Sequence, residues 1–93
     1  MKYVLIYRAV DDFLPLAREH GPAHVERLRD FHGRGVLLMV GTFDESVKGE
    51  AMAIFTSREA AEEFIAGDPF VLNGVVANWT LRPWKEILQP DPA

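Results

Sequence analysis

The chain has 93 residues, enough for one hydrophobic core and too few for two, so residues 1–84 are expected to form a single domain, with a tail over 85–93. At 48% hydrophobic and 26% charged it has the composition of a folded protein, and 14 acids against 10 bases leave a net charge of −4. That balance supplies no positive field for nucleic acid or an anionic membrane surface, and the lack of cysteine removes disulfides and thiolate metal sites, as suits a reducing cytoplasmic setting.

Residues 2–8, rich in Tyr, Val and Ile, read as a strand. Their apolar run is ended by Arg8 and is too short for a secretory core or a membrane span. An irregular stretch with Asp11-Asp12 and Pro15 follows. Gly21-Pro22 places a proline where a helix tolerates it, in the first turn, and predicts a helix from about Pro22 to His32 that stops near Gly33 or Gly35. Val36 to Thr42 is a short apolar run between glycine-containing turns and reads as a buried strand. Asp44 to Glu50 is a polar loop, and Ala51 to Thr56 a third strand. Ser57 is a good N-cap with Glu59 in the first turn, opening a second helix on Ala60, Ala61, Phe64 and Ile65 that ends near Gly67. Residues 68–73 read as a turn-rich loop, and Val75 to Leu81 as the last strand before Pro83. The tail, with Pro90 and Pro92, is expected to be loose.

The order βαββαβ, with short connections and right-handed crossovers, predicts an α+β ferredoxin-like fold: one four-stranded antiparallel sheet in the order 4-1-3-2, with both helices on one face. The first strand is apolar on both sides, because Tyr3, Leu5 and Tyr7 alternate with Val4 and Ile6. One side meets the helices, and the simplest cover for the other is a second copy of the chain, so a homodimer is expected.

This topology brings the start of the first helix and the loop after the second to one end of the domain. His24 and Asp68 are thereby expected to meet. Arg8, the Gly41-Thr42-Phe43 exit of the second strand, Phe70 and Asn73 share that rim as expected substrate-binding residues. At 100° per residue His24 falls with Leu28 and Phe31 on the apolar stripe, where a polar ring needs a partner. Asp68 can accept an imidazole N–H, fix the tautomer and favour the charged ring, while the helix N-terminus and burial disfavour it. Such opposed effects suit proton transfer, although spacing alone favours a packed structural histidine over a catalytic one.

Other signals carry less. His20 and His24 have the i, i+4 spacing of helical metal ligands, but Gly21-Pro22 is expected to leave His20 outside the helix, and no carboxylate stands at a matching ligand spacing. No metal site is expected. His32 reads as a residue favoured by the helix C-terminus. Ser46 and Ser57 lie outside nucleophile-elbow sequences, and Gly33-Arg34-Gly35 is a helix stop with no phosphate-loop pattern.

Pro22-Ala23-His24, Gly35 to Gly41, Ser57-Arg58-Glu59-Ala60-Ala61, Gly67-Asp68-Pro69-Phe70 and Arg82-Pro83-Trp84 together span nearly the whole chain and resemble the YCII-related family. The resemblance implies a dimeric α+β barrel with a His–Asp pair, here His24 and Asp68, as the active site. It also implies, from the clearest enzymatic branch, cofactor-independent dehydrochlorination of chlorinated hydroxyquinols. Many relatives continue the second strand as Gly-Pro where this chain has Gly41-Thr42, so the pocket rim differs there. Three readings follow: a cofactor-free small-molecule enzyme of elimination or isomerisation type, a non-catalytic dimeric binding or regulatory module, and a cofactor-free oxygenase of the dimeric α+β barrel class.

Overall fold

The computed structural model describes residues 1–44 and 49–91. In chain order the elements are β1 (Lys2–Ala9), α1 (Leu14–Gly33), β2 (Leu37–Thr42), β3 (Glu50–Phe55), α2 (Arg58–Gly67), α3 (Pro69–Leu72) and β4 (Val76–Trp84). The strands form one antiparallel sheet in the order β2-β3-β1-β4, which is the expected ferredoxin-like arrangement. No helix of the described residues is long and apolar enough to cross a membrane.

The first helix departs most from expectation. It runs for 20 residues from Leu14, and the proline in its first turn is Pro15, while Pro22 lies inside it. A mid-helix proline lacks an N–H and crowds the Cβ of the residue before it. Gly21 has no Cβ, and Arg18, whose carbonyl loses its partner, is exposed to water. His20 is therefore helical, and His24 sits mid-helix, beyond the reach of the N-terminal dipole, which fades within the first turn. The 68–73 loop also contains a short helix, α3, capped by Asp68 through Phe70 N at 3.1 Å. Strand β4 runs past Leu81 through Pro83, opposite Tyr3, because an edge strand can spare the missing N–H.

Cross-strand register sorts the two sheet faces. Tyr3, Leu5 and Tyr7 share the helix side with Phe55, Ala53 and Ala51, and Leu37 joins them opposite Phe55. Leu5, Tyr7, Leu37, Ala53 and Phe55 are buried there against Phe31, Ala60, Ala61, Phe64 and Ile65. Phe64 is central, packing edge-on to Phe31 at 5.2 Å and tilted on Phe55 at 5.5 Å. Ser57 caps α2 as expected, its hydroxyl accepting from Ala60 N at 3.1 Å. In the tail, Glu86 is tied to Lys2 Nζ at 2.8 Å, whereas Ile87 and Leu88 lie open. Pro92 and Ala93 lie outside the described residues.

The end of α2 is fastened to α1 by Arg27. Its Nε donates to Phe64 O at 3.2 Å and its Nη2 to Glu63 O at 2.8 Å, supplying a donor to Phe64 O among the carbonyls the helix end exposes and a second one to Glu63 O. The guanidinium lies against Gly67, where an added Cβ would meet Nη2 at 2.5 Å. Gly67→Ala and Arg27→Met should therefore remove the same clamp, each lowering stability by about 1 kcal/mol. In urea melts the double variant should cost clearly less than the sum, whereas additive losses would show that Gly67 and Arg27 act independently.

Candidate functional site

Asp68 is wholly buried, an expensive place for a carboxylate unless its oxygens find donors. It finds three. His24 Nδ1 lies 2.7 Å from Oδ1, Phe70 N donates to the same oxygen at 3.1 Å, and the Tyr7 hydroxyl donates to Oδ2 at 2.8 Å. The donors come from α1, α3 and β1, so the site forms where the sheet, the long helix and the α2–α3 corner converge.

An ionised carboxylate can only accept, so opposite it His24 Nδ1 is the donor, and a neutral ring in that tautomer keeps its lone pair on Nε2. Nothing among the described residues hydrogen-bonds Nε2. The imidazole stacks on Phe70 at 3.8 Å with the rings 7° from parallel, and meets Phe64 edge-on at 6.3 Å. These contacts fix the ring plane. His24 and Tyr7 border a small cavity with Leu5, Leu28, Val40, Ala53 and Phe64, about 30 Å³ in volume and almost wholly apolar. That holds a water or two, whereas a benzene-sized ring needs about 150 Å³, so a ring ligand must displace side chains at the cavity. Val40, on edge strand β2 and 48% exposed, is the most open of them.

The structure distributes the other expected residues differently. Arg8 follows Tyr7 and so points to the opposite face of the sheet, where its Nε pairs with Glu50 Oε2 at 3.2 Å. Gly41, Thr42 and Phe43 are exposed at the end of β2, with Thr42 in the cross-strand row of Ala51 and Tyr7 on the helix side. Phe70 lies against His24 itself. Asn73 caps α3, its Nδ2 donating to Pro69 O at 2.8 Å. His32 Nδ1 is 2.8 Å from Leu37 O at the end of α1. Ser46 lies outside the described residues, and among those described no group of three or more His, Asp or Glu side chains is placed to hold a metal.

The sequence reading missed Tyr7 as a site residue. The available signal was an inward-alternating tyrosine whose buried hydroxyl needs a partner. Arg27 was missed too, since only the packed α1–α2 pair shows which carbonyls it serves.

Residues 1–85 match the YCII-related domain. Protein YciI of Escherichia coli O6:H1 is 32% identical over 97 aligned residues, covering 94% of this chain and 99% of that protein, and Protein YciI of Shigella flexneri matches equally. The chain belongs to the YCII-related family. Among solved structures, this YCII-related domain is similar to 5-chloro-2-hydroxyhydroquinone dehydrochlorinase (TftG) from Burkholderia phenoliruptrix, in complex with 2,5-dihydroxybenzoquinone. The TM-score is 0.74 at 18% identity, over 91% of this chain and 94% of that one. It is also similar to an antibiotic biosynthesis monooxygenase, with a TM-score of 0.61 at 14% identity, over 94% and 98% of the two chains. At these identities the structural likeness shows the fold.

Tyr7 gives the site a pH signature. Burial, then the negative charge of Asp68 and the hydrogen bond to it, push the phenol far above its usual value of 10.0. In the unfolded chain the group ionises near 10, so its contribution is intact below that pH and is lost as pH rises toward the folded value. Chemical denaturation should show stability falling by up to about 1.4 kcal/mol per pH unit above about pH 10, and less steeply in Tyr7→Phe. Equal slopes in the two proteins would contradict this burial of Tyr7.

Proposed function

We propose that this YCII-related protein is a cofactor-independent acid–base enzyme for a small molecule, with His24 Nε2 as the proton-transferring atom and Asp68 as its orienting partner. The observation that carries the reading is the 2.7 Å contact between His24 Nδ1 and Asp68 Oδ1 at a cavity wall. With Nδ1–H held by the carboxylate, the Nε2 lone pair is left to accept a proton, and the imidazolium so formed is stabilised by Asp68.

The surrounding groups narrow the reaction. The Tyr7 hydroxyl and Phe70 N–H donate to Asp68, and Arg27 donates to the carbonyls of α2. Apart from His24 and Tyr7, the described side chains lining the cavity are apolar, so among the described residues no uncommitted side-chain donor lines it to meet a developing oxyanion. The site therefore suits a substrate that stabilises its own negative charge, such as a ring enol or quinol. A C–H or O–H bond breaks, the proton goes to Nε2, and the electron pair forms a new π bond. In an elimination the leaving group departs with its own bonding pair; in an isomerisation the proton returns elsewhere on the ring. The dehydrochlorinase among the structural relatives, solved with a dihydroxybenzoquinone, acts on a molecule of this class and supports the assignment.

A second copy of the chain is the proposed cover for the open sheet face. By register Val4, Ile6, Met39, Met52, Ile54 and Trp84 share that face, and Met39 is 68% exposed. Sedimentation should give a dimer at micromolar concentration, and a stable monomer would remove this part of the proposal.

The catalytic reading is tested by chloride release from 5-chloro-2-hydroxyhydroquinone and related halogenated quinols, with an oxygen electrode in parallel. His24→Ala should lose at least about 100-fold in turnover with the fold intact, and Asp68→Asn should be impaired through tautomer and charge. Undiminished turnover in both variants would overturn the assignment. Binding without turnover would make the protein a binding module, and oxygen consumption would place it with the oxygenases.

A further inference from the structure

We infer that Tyr7 is a positioning residue: its hydroxyl holds Asp68 as an ionised acceptor aimed at His24 Nδ1 and thereby keeps Nε2 free to take a proton. This rests on the reading of His24 as the base, and it extends the proposed pair to a three-residue relay anchored in the sheet.

The asymmetry of the carboxylate carries the inference. Oδ1 receives two donors, His24 Nδ1–H and Phe70 N–H, whereas the one donor to Oδ2 among the described residues is Tyr7, 61 positions away in sequence. Asp68 has no solvent exposure, so in the folded protein the Tyr7 hydroxyl, and not bulk water, serves Oδ2. Strand β1 also fixes where that donor stands, since Tyr7 lies in register between Ala51 of β3 and Trp79 of β4. A buried carboxylate stripped of its Oδ2 donor relieves the deficit by binding a proton or turning away. A protonated carboxyl that turns can donate to Nδ1. The imidazole proton then sits on Nε2, and the nitrogen proposed as the base has no lone pair left to accept one.

The test reads the tautomer directly and needs no substrate. In long-range ¹⁵N–¹H spectra, wild-type His24 should show the Nδ1–H tautomer, and Tyr7→Phe a mixture with Nε2–H. Tyr3→Phe removes a half-buried hydroxyl from the same face of the same strand and should leave His24 unchanged. Turnover of any substrate found should fall about 10- to 100-fold in Tyr7→Phe with little change in KM, matching the loss of one hydrogen bond to a charged group. If Tyr7→Phe does not fold, the wild-type Tyr7 hydroxyl proton is read instead, and should be resolved and slow to exchange with water. A Tyr7→Phe protein that keeps the pure Nδ1–H tautomer and wild-type turnover overturns the inference, as does a fast-exchanging Tyr7 hydroxyl. Failure to find turnover in the wild type would count against the base assignment, while the tautomer result would still decide the role of Tyr7.

Discussion

The architecture turns on one buried carboxylate. Asp68 has no exposure to water, and three hydrogen bonds from three separate elements replace the solvation it gives up. Each bond constrains the fold: β1 must present Tyr7 inward, α1 must turn His24 toward the α2–α3 corner, and α3 must begin directly after Asp68 so that Phe70 N points back at it. Arg27, on the same helix as His24, clamps the last carbonyls of α2 and so fixes where that corner lies. A change that moves any of these elements leaves a charge without a partner in a dry place, which costs far more than the loss of an ordinary surface contact.

Much of the fold was legible because the signals were local. Alternation marked β1, the glycine-bounded apolar run marked β2 as a strand, although it is a mostly exposed edge and not the buried strand expected, and Ser57 marked the start of α2, with chain order and crossover handedness supplying the sheet. The start of α1 was misread because two prolines each fit a first turn. Pro15 occupies it, and Gly21 lets Pro22 remain inside the helix by removing the Cβ that proline would crowd. Helical phase survived that error: moving the start does not change the angles between His24, Leu28 and Phe31, so the side of α1 on which His24 lies was right although its place along the helix was not.

The site was legible in part for the same reason. His24 and Asp68 were connected by topology, which sequence order and handedness constrain strongly. Arg8 was assigned by height along β1 alone, and strand alternation sends it to the opposite face, where Glu50 pairs with it. Tyr7, one residue earlier, has both the height and the side. That alternation is local to the chain, whereas the pairing across β3 and β4, including the bulge after Arg8 opposite β4, is announced by no local pattern.

The physical character of the cavity joins the structure to the proposed chemistry. A mostly apolar recess, a fixed imidazole with one uncommitted nitrogen, and donors already engaged elsewhere among the described residues are what the proposed base requires. The most direct test is an NMR titration of the protein with 2,5-dihydroxybenzoquinone. The account predicts that the perturbed resonances centre on His24, Tyr7, Leu28, Val40 and Phe64. Perturbations confined to the Arg8 face of the sheet, with His24 unmoved, would contradict it.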